Sequence, residues 1–159
     1  MSVNFSEEIK IKEADLGKAE QINTVVKKAF NDYKQGNHNP DLEEDIEDIK
    51  NDIKKNIVLI LQNQNNQILG TLRLVPENSD KVYLKKFAIL PEFQNFGFGS
   101  LLFKKAKEIA RGEGYKKVYL HSSTEDKNLV NFYKKLGFKC IEINKDMGYR
   151  RGLWVKKIC

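Results

Sequence analysis

Between Phe87 and Leu102 an apolar stretch runs into Pro91, a short polar loop carries Gln94 and two glycines, Gly97 and Gly99, and an amphipathic segment begins at Ser100. Residue types in this order suit an anion. Glycine lets backbone come close to a ligand, and the first-turn amides of a helix have no internal acceptor, so they point at negative charge. The loop reads as a cradle for a diphosphate. It is not the loop of the common nucleotide folds: no Gly-Lys-Ser/Thr is present, and the third glycine and following acid of the dinucleotide fingerprint are missing. Other reactive side chains are sparse. Cys140 and Cys159 have no metal-ligand spacing and no catalytic partner, so they read as reduced thiols, Cys159 as an exposed tail residue, and no metal is expected. His121 reads as structural or solvated rather than catalytic, and Trp154 as core or interface.

The bulk properties limit what such a loop could serve. A chain of 159 residues reads as one domain, 1–159, large enough to bury a core. The longest apolar run, Ile57–Leu61, is too short to cross a bilayer, and the first residues lack the basic-then-apolar pattern of a secretory leader, so a cytoplasmic protein without a membrane partner is expected. The net charge of +6 suits an acidic ligand. The lysines are dispersed, however, and no helix-turn-helix, zinc or base-stacking pattern accompanies them, so nucleic acid is not expected as a partner.

The elements that must position the loop follow from punctuation and period. Ile9 and Ile11 alternate with lysines as a short strand. Asp15 caps a helix with Leu16, Ala19, Ile22, Val26, Ala29 and Phe30 at helical spacing, and Asn31–Asn39, with Tyr33 and His38, reads as a loop. A second helix is expected from the Asn39-Pro40 cap. Asp41, Glu43 and Glu44 fill its first turn, Lys50, Lys54 and Lys55 its end, and Leu42, Ile46, Ile49 and Ile53 form its stripe. Three strands in an antiparallel meander come next, over 57–62, 67–75 and 81–89, separated by Asn-rich and Pro-Glu-Asn-Ser-Asp turns. After the glycine loop, a helix over 100–111 buries Leu101, Leu102, Ala106, Ile109 and Ala110. A strand at 117–122 then implies a parallel crossover. A helix over 128–136 ends in Gly137 as a left-handed cap with Phe138 packing back. Strands at 138–143 and 149–156 complete the sheet.

Two segments in this order resemble the GCN5-related N-acetyltransferase (GNAT) superfamily. Pro91-Glu92-Phe93-Gln94-Asn95-Phe96-Gly97-Phe98-Gly99 is similar to its (Arg/Gln)-x-x-Gly-x-(Gly/Ala) loop after a strand. Asn131-Phe132-Tyr133-Lys134-Lys135-Leu136-Gly137-Phe138 is similar to its Tyr-(Glu/Lys)-Lys-Leu-Gly-Phe helix end. Either segment alone is common; together, joined by a helix and a strand, they are specific. The resemblance implies a mixed α/β fold of the α+β kind, with a mostly antiparallel central sheet, one parallel pair at the cofactor cleft, and helices on both faces. It also implies acetyl-CoA as co-substrate and a primary amine as acceptor, either a small molecule or a peptide amino terminus or lysine. A homodimer is left open.

By the same resemblance, the cofactor would be held by Ile89, whose backbone pairs with the pantetheine arm, and by the amides of Gln94, Asn95, Phe96, Gly97, Phe98, Gly99 and Ser100. Added side chains at Gly97 or Gly99 should then crowd the ligand. Tyr133 would be the general acid. A phenol of pKa near 10 stays protonated at neutral pH and can give its proton to a thiolate whose acid has a pKa of about 8.5. Packing is its other reading, since Leu129, Phe132 and Leu136 share its helix. Two departures stand out. Where many relatives carry a glutamate before the glycine loop, this chain has Lys85 and Lys86, so no general base is identified; water or an acid such as Glu77 remains. Where many carry an asparagine ahead of the tyrosine, this chain has Asp126, with Asn128 close by, and the amide of Asn128 is favoured for the pantetheine. The missing glutamate also leaves a second reading, a non-catalytic acyl-CoA-binding module.

Overall fold

Residues 57–89 form the expected meander of β2 (Ile57–Gln62), β3 (Ile68–Pro76) and β4 (Lys81–Ile89), each antiparallel to the next. Short polar side chains make its turns. The Asn63 side-chain oxygen accepts from the amides of Asn65 and Gln67, both at 3.0 Å, and that of Asn78 accepts from Asp80 and Lys81 at 2.8 and 3.0 Å. This computed structural model describes residues 9–31, 44–145 and 148–159. The loop with Tyr33 and His38, the Asn39-Pro40 cap, and Asp41, Leu42 and Glu43 lie outside the described residues.

β1 (Lys10–Glu13) pairs antiparallel with β2. β5 (Lys117–Ser123) runs parallel to β4, β7 (Arg151–Lys157) is antiparallel to β5, and β6 (Lys139–Asn144) lies outside β7. The sheet order is β1-β2-β3-β4-β5-β7-β6. It is the mixed sheet expected, with a parallel β4–β5 pair and antiparallel pairing elsewhere. No helix among the described residues is long and apolar enough to cross a membrane.

The helices follow their caps, with three corrections. Asp15 accepts from the Gly17 amide at 3.0 Å and starts a 3-10 turn, Leu16–Lys18, before α1 (Ala19–Asn31). Leu16 sits in that turn rather than on the helix stripe and is 42% exposed, against expectation. α2 is Ile46–Lys55, capped by Asp45 in a reciprocal capping box with Asp48, so Glu44 precedes the helix instead of filling its first turn. α3 (Phe98–Gly112) begins two residues before the expected Ser100, which puts Gly99 inside its first turn. Leu101 consequently faces outward at 38% exposure, while Leu102, Phe103, Ala106 and Ala110 are buried. α4 (Lys127–Lys135) ends at left-handed Gly137 (φ 96°), as expected, and the Phe138 amide donates to the Tyr133 carbonyl at 3.0 Å.

α1 packs on β3 and β4 and against α2, and α3 packs on β2, β3 and β4. Alternation on β3 separates the two faces. Arg73 reaches α2, whereas a side chain at Gly70 would meet Leu102 of α3. The Arg73 guanidinium is fully buried, and burial alone would lower its pKa. Glu44, at 2.7 Å, and Asp52, at 3.0 Å, outweigh that and hold it charged. Lys85 of β4 closes the cluster, 3.1 Å from Asp52. Removing one carboxylate leaves a buried cation half-compensated. Glu44→Gln is therefore expected to cost about 3 kcal/mol in urea unfolding at pH 7, toward the lower end for a broken buried pair because Asp52 remains; a loss below about 1 kcal/mol would show that Arg73 does not depend on Glu44.

Candidate active site

The parallel ladder between β4 and β5 is short, with pairs Lys81–Lys117, Val82–Val118 and Tyr83–Tyr119. Beyond Tyr83 the strands part, although β4 stays zipped to β3 as far as Ile89 and Gly70. A bulge accompanies the parting. Thr71 pairs with Ala88 and Arg73 with Lys85, so Leu72 alone opposes Lys86 and Phe87, and Lys86 takes a left-handed φ of 54°. The extra residue bends the strand and sharpens its twist. The β4 edge over 84–89 is thus turned toward a gap.

The glycine loop stands at the end of that edge. Pro91–Phe93 forms a 3-10 turn, and the Gln94 side-chain amide donates to the Ile89 carbonyl at 3.0 Å, fastening the loop to the strand end. Asn95 (φ 69°) and Gly97 (φ 83°) are both left-handed, and Gly97 caps α3. The amides of Phe98, Gly99 and Ser100 belong to the first turn of α3, where the helix supplies no acceptor and its dipole favours an anion. Phe96 is exposed and Ser100 lies at the surface, whereas the Phe98 side chain is buried, so Phe98 can offer a ligand only its backbone.

The two glycines do different work. A side chain at Gly97 would meet nothing within 4 Å, and its constraint is the positive φ. At Gly99 a Cβ would lie 3.0 Å from the Phe132 ring and 3.7 Å from Phe87. A side chain at Gly99 would thus press on the protein's own Phe132. That ring packs edge-on against Phe87 of β4, at 5.6 Å, so α4 reaches across from β5 to β4 and α3.

Tyr133 follows Phe132 and is 8% exposed. Its ring is edge-on to Phe132 (5.3 Å) and Phe138 (5.8 Å), and Phe138 in turn contacts Phe103 of α3. Tyr133 is therefore packed on the α3 face, in line with its packing reading. Asp126 is the α4 cap, accepting from the amides of Asn128 (3.0 Å) and Leu129 (3.2 Å), while Asn128 itself is exposed. Trp154 is core, and its indole N–H donates to the Ser122 carbonyl at 3.4 Å. Glu77 pairs with Lys81 in the β3–β4 turn, at 3.5 Å.

Two neighbours on the other face make a contact that no local sequence pattern announces. The Tyr83 hydroxyl hydrogen-bonds Nδ1 of His121, and the rings lie 5.4 Å apart. Burial pushes the His121 pKa below its ordinary 6.5 and Arg151 adds to the effect, against weaker opposing pulls from Glu77 and Glu142, so the imidazole is neutral at pH 7. Asp52 is the acid nearest Lys85. Burial would raise its pKa, but hydrogen bonds from Lys85 and Arg73 and the Lys85 charge leave it below 3.8. It is thus a carboxylate at neutral pH but a weak base. Among the described residues no cluster of His, Cys, Asp or Glu could hold a metal ion.

The family profile described as acetyltransferase (GNAT) family matches residues 23–138. The chain belongs to this family. It is 26% identical over 76 residues to the Drosophila melanogaster protein named "Probable N-acetyltransferase san", a match covering 47% of this chain and 41% of that protein. It is 33% identical over 84 residues to the [ribosomal protein bS18]-alanine N-acetyltransferase of Haemophilus influenzae, covering 52% and 56%. These matches span less than two thirds of the curated relatives. The fold matches that of the PaiA N-acetyltransferase of Thermoplasma acidophilum, solved with coenzyme A, at a TM-score of 0.80 and 18% identity over 94% of this chain and 98% of that one.

The residues present fit coenzyme A, because a helix N-terminus with open space at Gly97 adjoins a strand edge able to pair with an extended arm. The glycines yield a direct test. Gly97→Ala should cost about 1–2 kcal/mol through its left-handed φ, unaffected by Phe132. Gly99→Val should be relieved by Phe132→Leu, with a coupling of about 1 kcal/mol or more in a double-mutant cycle measured by urea unfolding.

Proposed function

We propose that this GNAT-family protein transfers the acetyl group of acetyl-CoA to a primary amine by direct attack on the thioester. The observation carrying this reading is the conjunction of the glycine-capped α3 N-terminus with the β4 edge that runs into it beyond the β4–β5 ladder. The coenzyme supplies an activated acetyl thioester. Amides from Gln94 through Ser100 neutralise its diphosphate. Backbone at Ile89 pairs with the pantetheine arm, and Asn128, exposed at the start of α4, adds an amide to it. Backbone N–H groups along β4 serve charge developing on the thioester oxygen, which is the large electrostatic contribution in acyl transfer.

Tyr133 is the proposed donor to the departing thiolate. Its ring is held on two sides by Phe132 and Phe138, which restricts the positions its hydroxyl can adopt. The acceptor approaches from the α1–α2 face and is an amine of a small molecule or of a peptide; the H. influenzae relative's name supports a peptide amino terminus. The second reading, a non-catalytic acyl-CoA-binding module, draws on Lys85 and Lys86 standing where a basic carboxylate was expected, and on Asp52 being held by two cations.

Calorimetry with acetyl-CoA, followed by thiol release across an amine panel, separates the two. Acetyl-transfer requires binding plus release with at least one amine; binding without release from any of them would favour the module. Tyr133→Phe should lower turnover more than tenfold, with acetyl-CoA affinity within about threefold of wild type. Unchanged turnover would remove Tyr133 from the chemistry.

A further inference from the structure

We propose that the acceptor is the amino terminus of an acidic peptide, whose carboxylates meet a row of lysines on the sheet face that adjoins the gap. The inference rests on the acetyl-transfer reading and names the acceptor class that this reading leaves open. Its first support is the face. Over 81–85, 117–121 and 151–155, one set of alternate residues is buried while the other stays partly exposed on all three strands. Pairing aligns the exposed set in rows, Lys81 beside Lys117 and Lys117 beside Lys157, then Tyr83 beside Tyr119 and Tyr119 beside Val155. β4 and β5 part just beyond the second row, so the face runs into the gap. Its second support is charge. None of the three strands carries an Asp or Glu. Of the acids nearby, Glu77 is paired with Lys81, and Asp52 with Lys85 and Arg73. Glu142, opposite Leu153, stands on the outer strand β6.

Like charges placed directly opposite one another cost stability, and this row places them so twice. Lys81 is relieved in part, by Glu77 and by the Tyr119 ring, whose centroid lies 4.7 Å from its Nζ. Lys117 and Lys157 have no ion-pair partner among the described residues. Anions arriving from outside would compensate both, whereas a polycationic amine would be repelled. Nearer the gap, Nε of Arg151 is buried with no acceptor among the described residues, and a peptide carbonyl would supply one. The span sets the kind of acceptor. The lysine row lies two residues before the last β4–β5 pair, so an amine reacting beyond that pair is about 10–15 Å from it. An extended peptide covers that distance by its fourth or fifth residue, at about 3.3 Å each. A free amino acid does not, because its carboxylate is attached to the carbon that bears the amine.

Thiol release at saturating acetyl-CoA, from peptides that differ only at their fourth and fifth residues, tests the inference. Glu-Glu, Gln-Gln and Lys-Lys versions are compared in wild type and in the double variant Lys117→Gln, Lys157→Gln. A half-exposed ion pair is worth up to about fivefold, so wild type should favour the Glu over the Gln peptide by about tenfold in kcat/KM and disfavour the Lys peptide. The preference should reside in KM and shrink severalfold as salt rises from about 0.05 to 0.5 M. In the double variant the Glu-to-Gln ratio should fall to within about twofold, with acetyl-CoA affinity within about threefold of wild type. Its urea midpoint should equal or exceed that of wild type, because the like-charge row is relieved. A lower midpoint would assign the row to the fold rather than to a ligand. Equal rates for the three peptides, or a preference that survives the double substitution, overturns the inference alone. Faster acetylation of free glutamate than of the Glu peptide would assign the acceptor to small amino acids instead. Single-stranded RNA bound by wild type and not by the double variant, with the peptides undiscriminated, would assign the face to nucleic acid. Wild type that releases no thiol with any amine overturns the acetyl-transfer reading and this inference with it.

Discussion

β4 is zipped to β3 along its length but to β5 over only three residue pairs, and the remainder of the molecule is arranged around that inequality. An internal strand edge beyond its ladder leaves backbone groups to find other partners, and the Ile89 carbonyl takes the Gln94 side-chain amide. Here the bulge at Lys86–Phe87 turns the edge away from β5, the glycine loop continues from its end, and α4 leans across the opening. Extended backbone beside a helix N-terminus offers pairing to a linear ligand and amides to its charged end. The same irregularity therefore accounts both for the local cost and for the binding capacity.

Two packed groups flank the opening. On one face, buried Arg73 ties α2 to β3 through Asp52, and Asp52 ties in turn to Lys85 on the departing strand. On the other, Phe132 fills the space that Gly99 leaves beside Phe87, so α4, β4 and α3 meet at one ring. Replacing that glycine by any larger residue would move the ring, and the ring stands next to Tyr133. The glycine loop is thus coupled to the proposed acid through protein packing, before any ligand is considered.

What could be read in advance was local. β2 and β4 match their expected bounds because apolar runs meet asparagine-rich or proline-bearing turns, and Gly137 was legible because a left-handed cap after Lys135-Leu136 favours glycine. The start of α2 was set from Asn39-Pro40 alone, whereas Asp45 in a box with Asp48 caps the described helix. Glu44 is spent on Arg73, 29 residues away, and no local pattern announces such a partner. The Tyr83–His121 contact depends on the register of a parallel pair separated by a whole helix. Matching Val82 to Val118 on the buried face would have found it, since Tyr83 and His121 then fall on the opposite face near one another.

β4 carries Lys85 and Lys86 where a basic carboxylate was expected, and the acid paired with Lys85 is Asp52 of α2. A carboxylate at the strand would need to exchange protons near neutral pH to act as a base. Asp52 cannot, because the cations that keep it ionised stabilise its charge and depress its affinity for a proton. Its job is structural, holding Lys85 and Arg73. The ion pairs that fasten α2 to the sheet thus withhold this carboxylate from proton transfer.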